Sequence, residues 1–302
     1  MLLVLALGGN AFAKAGSRVG SPGDQLEAVE RAAVDVVDLV QMGYRVVVTH
    51  GNGPQVGLIA ERIGDSLSLD MAVAATEGWM GYLLANAIDN EVKRRGLDLR
   101  TIALLTRVIV NQGDESFRNP TKFIGPMYSG EDAARLSKVK GWVFKMDPRG
   151  GWRRVVPSPE PVKIIEGDVI RRLVNDGYVV VAVGGGGVPV IDGRGVEAVI
   201  DKDLASQLLA NSINAEELLI LSDVDYIYLD YGKPNQRPLM RVTVNELSRH
   251  YENGQFPEGN MGPKVKAVIR FINNGGRRAY VGKLGDATKI ISGLTGTTVL
   301  PG

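Results

Sequence analysis

Residues 179–190 read VVVAVGGGGVPV: a β-branched apolar run, four glycines, then a second β-branched run. No polar residue alternates with the first run, which is the pattern of a strand buried on both faces rather than one with a wet side. The four glycines, Gly184 to Gly187, permit either a bare turn or a close approach of backbone to phosphate. Neither GxxxxGK[ST] nor GxGxxG is present around them, so any phosphate site here is not built from one contiguous fingerprint.

The same motif of strand, glycines and helix recurs along the chain. Residues 1–7 lead to Gly8 and Gly9, residues 44–49 lead to HGNGP, and ELLILSDVD supplies a further strand over 218–222. Helical patterns separate them. Over 24–40, Leu26, Val29, Ala33, Val36 and Val40 form one stripe that Gly43 ends. A long helix is expected over 69–95, closing in basic residues and Gly96, and another runs from Pro263 to the stop at Gly275 with Val265, Val268, Ile269 and Ile272 facing inward. Apolar runs separated by helices predict an α/β fold with a parallel sheet covered on both sides.

Residues 116–161 break the pattern. They hold prolines, aromatics and cations without clean alternation, as an insertion or lid would, and Trp142 and Trp152 argue against disorder.

Composition narrows the function. With 302 residues the chain can bury a large core unaided. Thirty-five basic residues against 34 acidic ones point away from nucleic acid and anionic membrane surfaces. No stretch reaches the roughly 18 apolar residues of a membrane span, and MLLVLAL reads as a buried first strand. Zero cysteines exclude disulfides, thiolate nucleophiles and cysteine-ligated metals, and two histidines exclude a histidine-rich metal centre. Glycine is in excess, 38 where a usual share of about 7% gives roughly 21. Their positions therefore carry information.

Five constellations remain. LALGGNAF sets Gly8 and Gly9 where backbone N–H groups can meet an anion, or simply turn. THGNGPQVG offers Gly51, Asn52 and Gly53 before Pro54 at a helix start. His50 beside it reads as structural or catalytic. VIDKDLAS holds Lys202 between Asp201 and Asp203, either a solvated helix cap or an oriented phosphate ligand. GNMGPKVKA puts Lys264 in a first helical turn, where the helix dipole disfavours a cation unless an anion is near. NPTKF puts Lys122 in the insert. Separate glycine loops with lysines and a few aspartates suit phosphoryl transfer.

Taken in order, ALGGNAF, THGNGPQVG, EGWMGY, NPTKFIGP, RRVVPSPEP, AVGGGGVPV, VIDKDLAS and VDYIYLDYGKPNQ resemble motifs of the amino acid kinase superfamily, and within it the carbamate kinases, over essentially the whole chain. The resemblance implies an open αβα sandwich with a mostly parallel central sheet and a small protruding subdomain at about 116–161. It implies a single domain over 1–302, with a carbamate side in 1–160 and an ATP side in 162–302. The implied reaction is reversible transfer between ATP and carbamate, giving ADP and carbamoyl phosphate, with Mg2+ on the ATP phosphates. A cytoplasmic homodimer is also implied. Related kinases for acetylglutamate, aspartate or UMP carry a lysine in the first strand, but here that strand reads LLVLALGG, and Lys122 matches the subdomain lysine of carbamate kinases.

Carried over by motif, Lys202 and Lys264 take the ATP phosphates, Lys122 the transferring group, and Asp203 orients the lysines. Gly8, Gly9 and Asn10 take the transferring phosphoryl; Gly51, Asn52 and Gly53 hold carbamate. Gly184, Gly185, Gly186, Ser222, Asp223, Tyr228, Tyr231 and Met261 fall to the nucleotide. An acetylglutamate- or glutamate-kinase-like enzyme and a non-catalytic nucleotide-binding regulator are the alternatives.

Overall fold

The structure, a computed structural model, describes residues 1–8, 21–63, 66–147, 150–256 and 261–302. Eight strands form the central sheet: β1 (Leu2–Leu7), β2 (Arg45–His50), β3 (Thr101–Ala103), β4 (Val179–Val181), β5 (Glu217–Ser222), β6 (Arg241–Thr243), β7 (Arg278–Lys283) and β8 (Thr297–Leu300). Their spatial order is β6-β8-β7-β5-β1-β2-β4-β3. Neighbours run parallel except β7 and β8, which are antiparallel.

The helices are α1 (Pro22–Gln41), α2 (Gly53–Ile63), α3 (Leu69–Arg94), α4 (Gly130–Lys140), α5 (Gly167–Asn175), α6 (Lys202–Ser212), α7 (Val244–Glu252), α8 (Met261–Asn273) and α9 (Ala287–Ile291). Side chains alternate across a strand, so β1 serves two cores at once. Leu3, Leu5 and Leu7 pack with α1, α3 and α9, while Leu2, Val4 and Ala6 pack with α5, α6, α7 and α8. That two-sided burial is why the strand carries no polar residue, and it makes the domain a three-layer αβα sandwich.

Helix α1 starts where local chemistry directs. Ser21 and Asp24 form a reciprocal capping box, at 3.2 Å from the Asp24 N–H to Ser21 Oγ and 2.9 Å from the Ser21 N–H to Asp24 Oδ2, and Pro22 opens the helix. The expected stripe needs one correction. Leu26 is 47% exposed, and the buried face is carried by Ala28, Val29, Ala32, Ala33, Val36, Val37 and Leu39. Alanines centre that face because α1 packs closely on α3.

Residues 116–161, expected to be irregular, fold regularly. Lys122–Tyr128, Val143–Met146 and Trp152–Val156 make an antiparallel sheet with Trp152–Val156 in the middle, and α4 joins the first two strands. These strands are half-exposed, so they show neither the alternation nor the apolar runs of the main sheet. Trp142 lies between cations, with Lys140 Nζ 4.8 Å and the Arg154 guanidinium 4.1 Å from its ring centroid. Gly57 of α2 touches Gly125 of this sheet; a Cβ on Gly57 would sit 2.5 Å from the Gly125 nitrogen. The two backbones meet there without side chains between them.

A second sheet, of Arg194–Gly195, Val188–Ile191, Arg107–Val110 and Pro161–Ile164 in that order, adjoins the first. The opening segment therefore belongs to two sheets: residues 179–181 lie in β4 and 188–191 in the second sheet. The glycine run is the joint between them.

Candidate active site

The joint is tight. Val183, Gly185, Gly186 and Gly187 have φ of 54°, 65°, 94° and 84°, a run of left-handed backbone that side chains rarely adopt. Space is also absent. A Cβ would lie 2.5 Å from His50 Nε2 at Gly184, 2.0 Å from Asn52 Nδ2 at Gly185, and 2.7 Å from the Ile200 carbonyl oxygen at Gly186. All four glycines are buried, and Gly185 alone among them lines the cleft described next. The run supports the loop after β2 from beneath.

That cleft opens beyond the carboxyl ends of β1, β2 and β5. The chain leaves β1 for β2 on one side and later returns to β5 on the other, so β1 is the switch point at which open α/β sheets bind ligands. Gly8, Gly51, Asn52, Gly53, Lys122, Gly185, Lys202, Asp203, Ser222 and Lys264, all expected from sequence, line it together. Gly9 and Asn10 lie outside the described residues. Gly184, Gly186, Asp223, Tyr228, Tyr231 and Met261 are not in its lining.

The glycines act differently from expectation. The Gly8 N–H donates to the Leu221 carbonyl at 2.8 Å and the Gly51 N–H to the Leu7 carbonyl at 2.9 Å, extending the sheet. Neither donor is spare for an anion. Gly8 instead gives close approach, since a Cβ there would sit 3.2 Å from the Leu221 oxygen. Gly53 opens α2, where the first N–H groups have no partner within the helix. Asn52 accepts the Val56 N–H on its carbonyl at 2.9 Å, and its Nδ2 donates to Thr76 Oγ1 at 2.6 Å.

Three lysines converge on the cleft from three elements. Lys202 opens α6, Lys264 lies in the first turn of α8, and Lys122 begins its strand in the small antiparallel sheet. Asp203 Oδ1 is 2.7 Å from Lys202 Nζ, and Asp203 Oδ2 accepts a hydrogen bond from Lys264 Nζ at 3.2 Å. Lys122 Nζ donates to Asp201 Oδ2 at 2.6 Å. Two carboxylates against three ammonium groups leave one positive charge.

Burial sets the behaviour of these groups. Asp203 is 3% exposed; burial alone would raise its pKa, but Lys202 and Lys264 overcome that and hold it well below the carboxylate range. Lys202 is depressed, first by burial and then by repulsion from Lys264. For Lys264 burial also opposes the charge, yet Asp203 and Asp201 prevail and raise it. Lys202 Nζ is buried and, despite its ion pair, makes no well-directed hydrogen bond. A buried ammonium with unused donors, beside a second one, is a site for an anion.

His50 is 1% exposed, and burial with Lys202 nearby lowers it to about 4, so it is neutral at pH 7. Its Nδ1 lies 3.1 Å from the Gly51 carbonyl oxygen. Ser222 Oγ donates to Asp223 Oδ1 at 2.9 Å. Tyr228 and Tyr231 lie on or just after the two-stranded ribbon of Ile227–Leu229 and Arg237–Leu239, their rings 5.9 Å apart. Met261 starts α8 and packs on the core.

Two neighbours of the site escaped the sequence reading as chemistry. Glu77, in the quoted EGWMGY, is buried and accepts the Thr106 N–H at 2.8 Å; burial raises its pKa well above normal. Asp201 looked like a helix cap and is one, accepting the Asp203 N–H at 2.9 Å, but it also holds Lys122. Its lysine is 79 residues away in sequence, and no local pattern reports that.

Among the described residues no cluster of His, Cys, Asp or Glu could hold a metal ion, and no helix is long and apolar enough to cross a membrane. The sequence model of the Amino acid kinase family matches residues 1–283. The chain is 46% identical to a carbamate kinase of Pyrococcus horikoshii, covering 99% of both chains, and 42% identical to one of Clostridium perfringens, covering 99% of this chain and 100% of that one. A structure of carbamate kinase from Giardia lamblia bound to AMP-PNP covers 100% of this chain and 98% of that one, with a TM-score of 0.91 and 35% identity. With the family matched over nearly its full length, and with such relatives, the chain belongs to the amino acid kinase family and, within it, to the carbamate kinases.

Proposed function

We propose that this protein transfers a phosphoryl group reversibly between ATP and carbamate, giving ADP and carbamoyl phosphate. The observation that carries the reading is the convergence of Lys122, Lys202 and Lys264 on one cleft at the sheet's switch point. The relatives named above support the choice of carbamate as acceptor.

Carbamate already carries an anionic oxygen, so attack on phosphorus needs no proton removed. A neutral, buried His50 fits that chemistry, since nothing requires it as a base. The difficulty is bringing two anions into line while charge moves toward the leaving oxygen. Lys202 and Lys264, fixed by Asp203, serve the nucleotide phosphates, and Lys122 serves the transferring group. Gly51, Asn52 and Gly53 form the carbamate wall, with Gly185 filling in under Asn52. Gly8 lets the phosphoryl group approach the sheet, with Gly9 and Asn10 following it in the chain. Ser222, Asp223, Tyr228, Tyr231 and Met261 remain the proposed nucleotide contacts, with Gly184 and Gly186 shaping the floor. The division into a carbamate side, 1–160, and an ATP side, 162–302, goes with these roles.

Magnesium suits this site as a passenger on the nucleotide, because it binds phosphate oxygens and water readily and the two cleft carboxylates are already engaged by lysines. When bound it would screen phosphate charge. A cytoplasmic homodimer stays an expectation from family resemblance, which sedimentation can check for the assembly.

Release of ADP measured with carbamate, acetate, glutamate and acetylglutamate in parallel tests the acceptor. Turnover confined to carbamate is expected; preference for acetylglutamate or glutamate would transfer the chain to another branch.

A further inference from the structure

The two aspartates that flank Lys202 do different work. Asp203 contacts both buried lysines directly, whereas Asp201 bonds Lys122, with Oδ2 2.6 Å from Nζ, and reaches the buried pair only through its charge. Its other oxygen accepts the Asp203 N–H at 2.9 Å as the cap of α6. One carboxylate thus grips both a lysine from the small antiparallel sheet and the helix end that presents Lys202. The backbone supports the same junction: the Val199 N–H donates to the Pro157 carbonyl at 3.0 Å, and Lys122 pairs with Val156 in register.

A carboxylate at the edge of a cleft for two anions has the wrong sign for binding them. A gain elsewhere must offset that. The Lys122 side chain is 34% exposed, and without a partner its flexible stem would sample many orientations outside the cleft.

We propose that Asp201 is a positioning residue: it aims Lys122 at the transferring phosphoryl group while clamping the start of α6, so that the insert and the buried lysine pair act as one unit. This rests on the phosphoryl-transfer reading above. Asp201 would then favour turnover at some expense of nucleotide affinity, a split that a purely structural cap would not produce.

Asp201→Asn isolates the charge, because asparagine caps helices as well as aspartate. In the direction from ADP and carbamoyl phosphate, kcat should fall about 10- to 100-fold while the KM for ADP stays level or drops. In a Lys122→Ala background the same substitution should change kcat by less than about twofold. Amide exchange across Lys122–Tyr128 should quicken while that of α6 is unchanged. Equal losses in both backgrounds, an unchanged kcat, or a rise in KM alone would overturn the proposal. If the wild-type protein made no ATP, the functional reading would fall; exchange then decides the pairing by itself, and unaltered exchange in Asp201→Asn overturns it.

Discussion

Asp203→Asn should cost this protein stability as well as activity, and anions should restore the stability. In the wild type one carboxylate neutralises two buried ammonium groups at 2.7 and 3.2 Å. Asparagine keeps the shape and removes the charge, leaving Lys202 and Lys264 buried and mutually repelling. Breaking a buried pair by neutralising one partner costs about 3 to 5 kcal/mol. A 302-residue chain has an unfolding entropy near 0.6 kcal/mol per kelvin, so the melting temperature should fall by about 5 to 8 °C at pH 7. Because Asp203 is depressed below its unfolded value of 3.8, its contribution is present above that pH and fades as pH falls below it. The gap between the two proteins should therefore narrow in acid. Calorimetry at pH 7, with and without sulfate, is the assay. Sulfate should raise the variant more than the wild type, because it replaces the missing negative charge. A companion Lys202→Met should absorb much of the loss, since it removes one unpaired cation. A shift under about 1 °C, or the same shift whether or not Lys202 is present, would refute the electrostatic account.

Three further outcomes follow from particular contacts. Gly185→Ala places a methyl 2.0 Å from Asn52 Nδ2 on left-handed backbone, so it should raise the KM for carbamate or carbamoyl phosphate more than that for ADP; steady-state kinetics showing the reverse would move Gly185 to the nucleotide side. Asp35 is raised to about 6 by burial, so it stabilises the fold most below 3.8 and loses that contribution as pH rises through 6. Denaturant melts of the two proteins should show the stability difference between wild type and Asp35→Asn moving by about 3 kcal/mol in the variant's favour across that window, and a constant difference would refute the burial of an uncharged Asp35. His50, lowered to about 4, should keep its neutral NMR signature from pH 8 to about 5.5, and a midpoint near 6.5 would place it in water instead.

The central sheet was legible because its strands are buried on both faces. Runs such as residues 179–183 and 217–222 have no polar side, and the glycines that end them mark the strand ends where a parallel sheet binds ligands. The small sheet at 122–156 was not legible as strands, since each strand is half-wet and Lys122–Tyr128 finds its partners about 24 to 34 positions away. Within the site, the lysines were readable from their settings: one in a first helical turn, one between two aspartates. That Asp201 serves Lys122 was not, because that pairing depends on folding 79 residues of chain back on itself. The glycines were found for a partly mistaken reason. Gly8 and Gly51 spend their N–H groups on the sheet, and Gly184 to Gly187 form a buried joint that clears room for His50, Asn52 and Ile200. Missing side chains, more than spare donors, are what the cleft needs from them.

The most direct test of the functional account is ATP formation by the purified protein from ADP and carbamoyl phosphate with Mg2+, followed by a luciferase signal. ATP should appear in proportion to enzyme, and Lys122→Ala should lower turnover far more than it weakens ADP binding. No ATP under these conditions, with nucleotide binding intact, would contradict the central claim.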